Sequence, residues 1–413
     1  MVAGVRPVDR RPGVNSSPSA LRVALVVAAL SMLAPFTLDT YLPSFPAIAS
    51  ELSASPEAMQ GTLSYYLFAF GLMMLVYGPL SDSLGRRPVV LLALVGYALA
   101  SLGCALVDSI EGLILMRVGQ GLAAGAGLVI GRAVVRDLYE GPQAQRVMSN
   151  VMLFFAVAPA LAPVLGGLLA DFGGWRSVFF FLAVLGLTIL LLCVLAMPES
   201  LPRAARQSLA PLSIGKAYVR ALGHGPFMLL TLTFGLNFGG LFLYIAASPE
   251  LVYTHLGGGA NDFWRLFLPV VSGIVLGSAL AGRLAGRLSS RQTVWLGFAV
   301  MGGASLVNLW LAVLTEPQLL FVIAPVAVYA LGMALAMPAL TLMALDCFPA
   351  RRGMASALMG FAQMVSNGLI SSFLVARLSA NVDALALGMF VLTALALALW
   401  LGWASFSRAT VAS

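Results

Sequence analysis

Twelve stretches of about twenty residues, each free or nearly free of charge, recur along this 413-residue chain. A helix rises 1.5 Å per residue, so roughly 20 apolar residues are needed to cross a hydrocarbon core about 30 Å thick. The stretches cover 22–44, 59–80, 88–108, 113–135, 147–170, 177–198, 226–249, 263–284, 292–314, 319–345, 354–377 and 384–406. Only 9% of the residues are charged, whereas soluble domains carry about 25%. Transmembrane β-strands would alternate apolar and polar residues in ten-residue segments, and that pattern is absent. The fold class that follows is an all-α membrane protein with twelve transmembrane helices, in contact with membrane lipid along its length.

A net charge of +7 raises nucleic acid as a partner, but the distribution of the charge argues otherwise. With the N-terminus placed inside, 18 of the 23 Lys and Arg fall in inside segments, among them Arg10, Arg86, Arg136, Arg206, Lys216, Arg291 and Arg352. Arg176, Arg265 and Arg377 fall on the opposite side, and Arg117 and Arg132 lie within the fourth stretch. This is the positive-inside pattern. It predicts cytoplasmic termini in an inner membrane and explains the basic excess with no nucleic acid. The apolar run continues past Asp39 to Pro46 without a small-residue cleavage site, so removal of a signal peptide is not expected. Cys104, Cys193 and Cys347 are odd in number and lack ligand spacing, so no disulfide framework, metal or cofactor is expected.

The longest polar connection, residues 199–225, has six stretches on each side. The expected organisation is a tail over 1–21, a six-helix bundle over 22–198, a cytoplasmic linker over 199–225, a second bundle over 226–406 and a tail over 407–413. A degenerate internal echo supports duplication. GPLSDSLGRRP (residues 78–88) and GSALAGRLAGR (residues 277–287) occupy the same connection of each half, although Gly282 stands where the first copy has Asp82.

Two charges fall inside the apolar stretches at matching depth. Asp39 is 17 residues past Arg22, about 25 Å in, and Arg117 is six residues past Glu111 from the other side, about 9 Å in. A charge at the bilayer centre costs roughly 3 kcal/mol or more, so both are expected to face one polar cavity. Burial penalises a charged carboxylate and a nearby guanidinium favours it. Movement between the first and fourth helices would then change how tightly Asp39 holds a proton. The simpler reading is a static ion pair, which is poor value for stability alone. Met32, Pro35, Phe36 and Pro43 share a face with Asp39, and the prolines are expected to loosen the helix there.

GPLSDSLGRRP fits the G-x-L-x-D-x-x-G-R-R/K signature of the major facilitator superfamily. LDTYLPSFP, LILMRVGQGLAAGAG, RAVVRDLY, APALAPVLGG, GGWRSVFFFLAVLG, MPES and CFPARRGMASALMGFAQM resemble its bicyclomycin-resistance and chloramphenicol-efflux subgroup of drug:proton antiporters. The resemblance implies two six-helix bundles that alternate access to a central site, with Asp39 and Arg117 in proton coupling. It implies a cytoplasmic gate in which Gly78 and Gly85 allow close approach and Asp82 meets the start of the eleventh helix near Arg352 and Gly353. Arg86 is the alternative partner of Asp82, and Asp137 a further partner of Arg86. APALAPVLGG, with Pro159, Pro163, Gly166 and Gly167, resembles the antiporter motif of the fifth helix and is expected to pack tightly on the eighth. Ala158 stands where the commonest form has glycine.

A soft lining for amphiphilic drugs is expected from aromatic and methionine side chains near mid-membrane. The candidates are Phe36, Asp39, Phe155, Phe234, Phe238, Phe242, Tyr244 and Met364, with Asn237 and Gln363 as hydrogen-bonding handles. The reading is proton-coupled export of a small amphiphilic antimicrobial by a monomer, with protons as the coupling ion. Proton-coupled uptake of a metabolite is the alternative. An enzyme is not expected, because His224 and His255 fall on opposite sides and no paired carboxylates, nucleophile elbow or phosphate loop occurs.

Overall fold

The computed structural model describes residues 20–206, 208 and 211–412. The described chain is nearly all helical, with one isolated bridge between Ala285 and Leu288. In the first half, α1 (Ala20–Asp39), α2 (Pro56–Leu84), α3 (Arg86–Leu106) and α4 (Ile110–Leu138) are followed by a 56-residue helix, Gly141–Ala196. Gly174 divides that helix with φ 69° and ψ 177°, a conformation open essentially to glycine alone. The two parts are α5 (141–173) and α6 (175–196). A linker helix, Pro211–Leu222, leads to α7 (Gly225–Ala246), α8 (Phe263–Leu284), α9 (Ser290–Leu314), α10 (Leu319–Asp346), α11 (Arg352–Leu369) and α12 (Val382–Ala412).

Helix starts follow local chemistry. Ser55 caps α2, accepting from the Ala58 N–H at 3.2 Å, with Pro56 in the first turn where its missing N–H is harmless. Ser109 caps α4 in the same way, and Ser289 with Gln292 forms a reciprocal capping box on α9. The His224 imidazole caps α7 by accepting from Phe227 N–H at 3.2 Å.

Within each half the helices approach closely at small residues, as expected where lipid offers no hydrophobic drive for helix association. A Cβ added to Gly127 would overlap the Leu30 carbonyl of α1, and one added to Gly277 would overlap the Leu331 carbonyl of α10. The halves meet along α2 with α11 and α5 with α8. Large apolar side chains such as Leu92, Leu99, Leu187 and Leu320 remain exposed on the outer surface, where acyl chains cover them.

The first apolar stretch is shorter as a helix than its sequence implies. Pro43 cannot donate to the Asp39 carbonyl four residues earlier, so α1 stops at Asp39 and the chain turns through a short 3-10 segment, Leu42–Ser44. Pro35, by contrast, sits inside a continuous α1.

Candidate functional site

Asp39 is 7% exposed, so little of it can meet acyl chains. Among the described residues no hydrogen bond or ion pair holds that carboxylate. The backbone around it is clamped from two directions. On one side α5 presses on it at Gly166, where a Cβ would overlap the Thr40 carbonyl. On the other, the Tyr253 hydroxyl of the second half donates to the Pro43 carbonyl at 2.7 Å. Tyr253 lies outside the helical spans, and burial pushes its hydroxyl up to about 12, so it stays a donor at neutral pH. The unpaired acid therefore stands where α1, α5 and the second half converge.

Among the described residues Arg117 makes no ion pair with Asp39, which removes the simpler reading of a static pair. Its guanidinium reaches α1 two residues earlier, donating to the Thr37 carbonyl at 3.1 Å, to the Thr62 carbonyl at 3.3 Å and to Gln120 Oε1 at 2.8 Å. The Tyr41 and Tyr66 rings lie 4.2 and 4.5 Å from Cζ. Among the described residues these aromatic faces and carbonyl dipoles hold the cation with no carboxylate in ion-pair range, and the residue is fully buried inside the first bundle. Among the described residues its Nη2 has no hydrogen-bond partner. Gln120 was legible, being one turn from Arg117 on the same face. Tyr41, Tyr66, Thr37 and Thr62 come from other helices and carry no spacing signal.

At the end of the bundle where α1 begins, Arg86 bridges Asp82 at 2.5 Å and Asp137 at 3.0 Å. Glu199 completes the cluster: its carboxylate accepts from the Arg86 N–H at 3.0 Å and the Arg87 N–H at 3.3 Å, at the positive N-terminus of α3. Arg206 pairs with Glu199 at 3.6 Å and Ser200 donates to Asp137 at 2.7 Å. Gly85, with φ 104°, makes the turn between α2 and α3, and a Cβ there would run into Arg206 and Glu199. Gly78 has open space around it, so the close approach expected of it is not made in this conformation. Nor does Asp82 meet α11: Arg352 pairs instead with Asp346 at 3.0 Å. Glu199 and Arg206 escaped the sequence reading, although MPES contains the acid.

The proposed drug-contact residues divide. On α7, Asn237 and Tyr244 point into the second bundle, Asn237 donating to the Met333 carbonyl at 3.3 Å and the Tyr244 hydroxyl accepting from Asn308 at 2.6 Å. Gly235 and Gly239 face α11, against Gln363 and Ile370. The remaining face carries Phe234 and Phe238, both only partly buried, with Phe242 6.2 Å from Phe238. Gln363 is partly buried on α11, and Met364 packs where Gly71 of α2 makes room. Phe36 is buried against Phe181 at 6.2 Å within the first bundle rather than beside the α7 aromatics. The Phe155 side chain lies outside the described residues. Tyr244 and Phe36 are thus packing residues here, whereas Asn237, turned into the second bundle, keeps a buried Oδ1 with no hydrogen-bond partner among the described residues.

At the end opposite the start of α1, hydrogen bonds tie the two halves together. Ser371 donates to Gln60 Oε1 at 2.8 Å, Gln60 donates to the Ala246 carbonyl at 3.3 Å, and Asn261 donates to Asp171. Gly167 of the fifth-helix motif lies against the Ala260 carbonyl of the other half. Ser371 falls in a π turn, Ile370–Val375, an irregularity common at working parts of helices. Gln60→Ala removes two cross-half hydrogen bonds worth about 1 kcal/mol each. We expect it to raise the population opened at this end about tenfold or more, read as a new long component in the spin-label distance distribution between Ala54 and Thr315. An unchanged distribution would show that other contacts hold this end closed.

The family model for the major facilitator superfamily matches residues 27–371. The uncharacterized MFS-type transporter YdgK of Bacillus subtilis (strain 168) is 32% identical over 85% of this chain and 88% of its own length. The bicyclomycin resistance protein homolog of Haemophilus influenzae (strain ATCC 51907 / DSM 11121 / KW20 / Rd) is 32% identical over 61% of this chain and 63% of its own. A solved D-xylose-proton symporter superimposes with a TM-score of 0.74 at 18% identity, covering 92% of this chain and 97% of that one, which bears on fold alone. The resemblance carried by the motifs therefore holds, and enzymes find no counterpart in it. Long apolar helices on both sides of the linker and a family match over most of the length together place the chain in the major facilitator superfamily of membrane transporters.

Proposed function

We propose that this transporter exports small amphiphilic antimicrobials in exchange for protons, from the inner membrane of a bacterium, with both termini in the cytoplasm. The observation that carries the reading is the unpaired, buried carboxylate of Asp39 at the junction of α1, α5 and the second half. A proton carrier must gain and lose a charge as its surroundings change, and a carboxylate without a fixed counter-ion is free to do so. Rocking of the halves would break the Tyr253 and Gln60 contacts and move the α1 break, changing the solvation of Asp39. The basic residues at the end where α1 begins support a cytoplasmic setting for that end by the positive-inside rule. The conformation described, tied across the halves at the opposite end, then faces inward and is ready to load drug.

Asp82, Arg86, Asp137 and Gly78 belong in this reading to the gate that closes the cytoplasmic end in the other conformation. Asp82 is 41% exposed, so its role there is to be tested in transport rather than stability. Drug contact falls to Phe234, Phe238, Gln363 and Met364, supported by their partial exposure on α7 and α11. The name of the Haemophilus relative points to bicyclomycin as a first probe.

The test is drug susceptibility in a pump-deficient host. Expression of the wild type is expected to raise the inhibitory concentration of bicyclomycin or chloramphenicol, and Asp39→Asn to return it to the empty-vector value. Equal protection by Asp39→Asn and wild type would overturn the assignment. Sensitisation by the wild type would favour proton-coupled uptake.

A further inference from the structure

The linker helix Pro211–Leu222 has two unlike surfaces. Ile214, Ala217, Tyr218 and Ala221 turn inward, and the Tyr218 hydroxyl donates to the Leu75 carbonyl of α2 at 2.8 Å. The opposite side exposes Leu212 at 73%, Val219 at 69% and Leu222 at 52%, spaced seven and three residues apart and so forming one stripe. Lys216 and Arg220 are exposed beside that stripe, and among the described residues neither makes an ion pair.

Position decides what covers this stripe. Leu75 lies five residues before the inner end of the 59–80 apolar stretch, roughly 8 Å along α2, which is within the roughly 5–10 Å over which an interfacial helix buries its apolar face. Tyr218 therefore fixes the linker helix at the level where acyl chains give way to head groups. An apolar stripe flanked by Lys and Arg at that depth has the chemistry of a helix lying in the membrane interface. Basic residues there attract acidic lipid, an effect absent for zwitterionic head groups.

We infer that the linker helix docks on the bilayer, its Leu212–Val219–Leu222 stripe among the acyl chains and Lys216 and Arg220 binding the phosphates of acidic phospholipids. Docking would also steady the Tyr218 contact. That contact joins α2 of the first half to a helix leading directly into α7 of the second, so acidic lipid favours the conformation described here.

The experiment uses the full chain with Cys347→Ser and a nitroxide on Val219→Cys, in vesicles of zwitterionic phospholipid with or without about 30% phosphatidylglycerol. The nitroxide is expected to collide with oxygen more often than with a water-soluble nickel complex, and to sit deeper with phosphatidylglycerol. Two basic residues correspond to at most about 30-fold local enrichment of the acidic lipid. Lys216→Glu with Arg220→Glu should abolish the dependence on phosphatidylglycerol while the protein still unfolds at the wild-type temperature. A label at position 219 equally open to the nickel complex in both vesicles would overturn the docking. Burial that ignores phosphatidylglycerol, or survives the charge reversal unchanged, would overturn the acidic-lipid assignment.

Discussion

Asp39→Asn is expected to abolish drug accumulation against a gradient while drug binding persists. Asparagine has nearly the shape of aspartate, so the clamp formed by Gly166 on Thr40 and Tyr253 on Pro43 should survive. It cannot take up or release a proton. Moving one charge down 100 mV supplies about 2.3 kcal/mol, enough for roughly a 50-fold concentration ratio. In proteoliposomes that ratio should fall to about one for Asp39→Asn, with equilibrium binding of chloramphenicol or bicyclomycin retained. Asp39→Glu keeps the chemistry and should retain part of the ratio. Loss of binding together with transport in Asp39→Asn would instead make Asp39 a drug contact.

Arg117→Ala is the second large effect, and it should appear first in stability. The guanidinium is fully buried and serves the Thr37 and Thr62 carbonyls and Gln120 Oε1, while two tyrosine rings cover its faces. Truncation strips acceptors in a dry interior of their donor, at about 1–3 kcal/mol for each group left unsatisfied. It also opens a cavity between α1, α2 and α4. We expect about 3 kcal/mol of destabilisation or more, seen as a clearly lower unfolding temperature in detergent. Arg117→Lys keeps the charge but loses the planar fork that reaches three acceptors at once, and should fall between. If Arg117→Ala unfolds with the wild type and loses only transport, the cage is a coupling device rather than a structural one.

The spans were legible because hydrocarbon thickness sets their length and one face of each must suit lipid. The stretch at 263–284 coincides with Phe263–Leu284, and 88–108 lies two residues from Arg86–Leu106. The end of α1 was misjudged because Tyr41 to Phe45 is apolar, and Pro43 acts through the carbonyl of a residue four positions back. Arg86 meets Asp82 one turn away, as their spacing implies, and Asp137 lies 3.0 Å from it although 51 residues on, a partner suggested by the motif resemblance and by their shared end of the bundle. Other contacts between distant segments were not legible. Glu199 stands 113 residues from the Arg86 N–H it receives, and nothing in the residues between announces the meeting. The same holds for the tyrosines around Arg117, since an aromatic residue facing a cation looks in sequence like one facing lipid.

Proton exchange at Asp39 can be followed directly in inside-out vesicles holding an acid-inside pH gradient, reported by quenching of an acridine dye. Chloramphenicol or bicyclomycin added outside should release protons and restore fluorescence with the wild type, and leave the signal flat with Asp39→Asn. Equal recovery in both would contradict the account, because the proton would then be travelling through some other group.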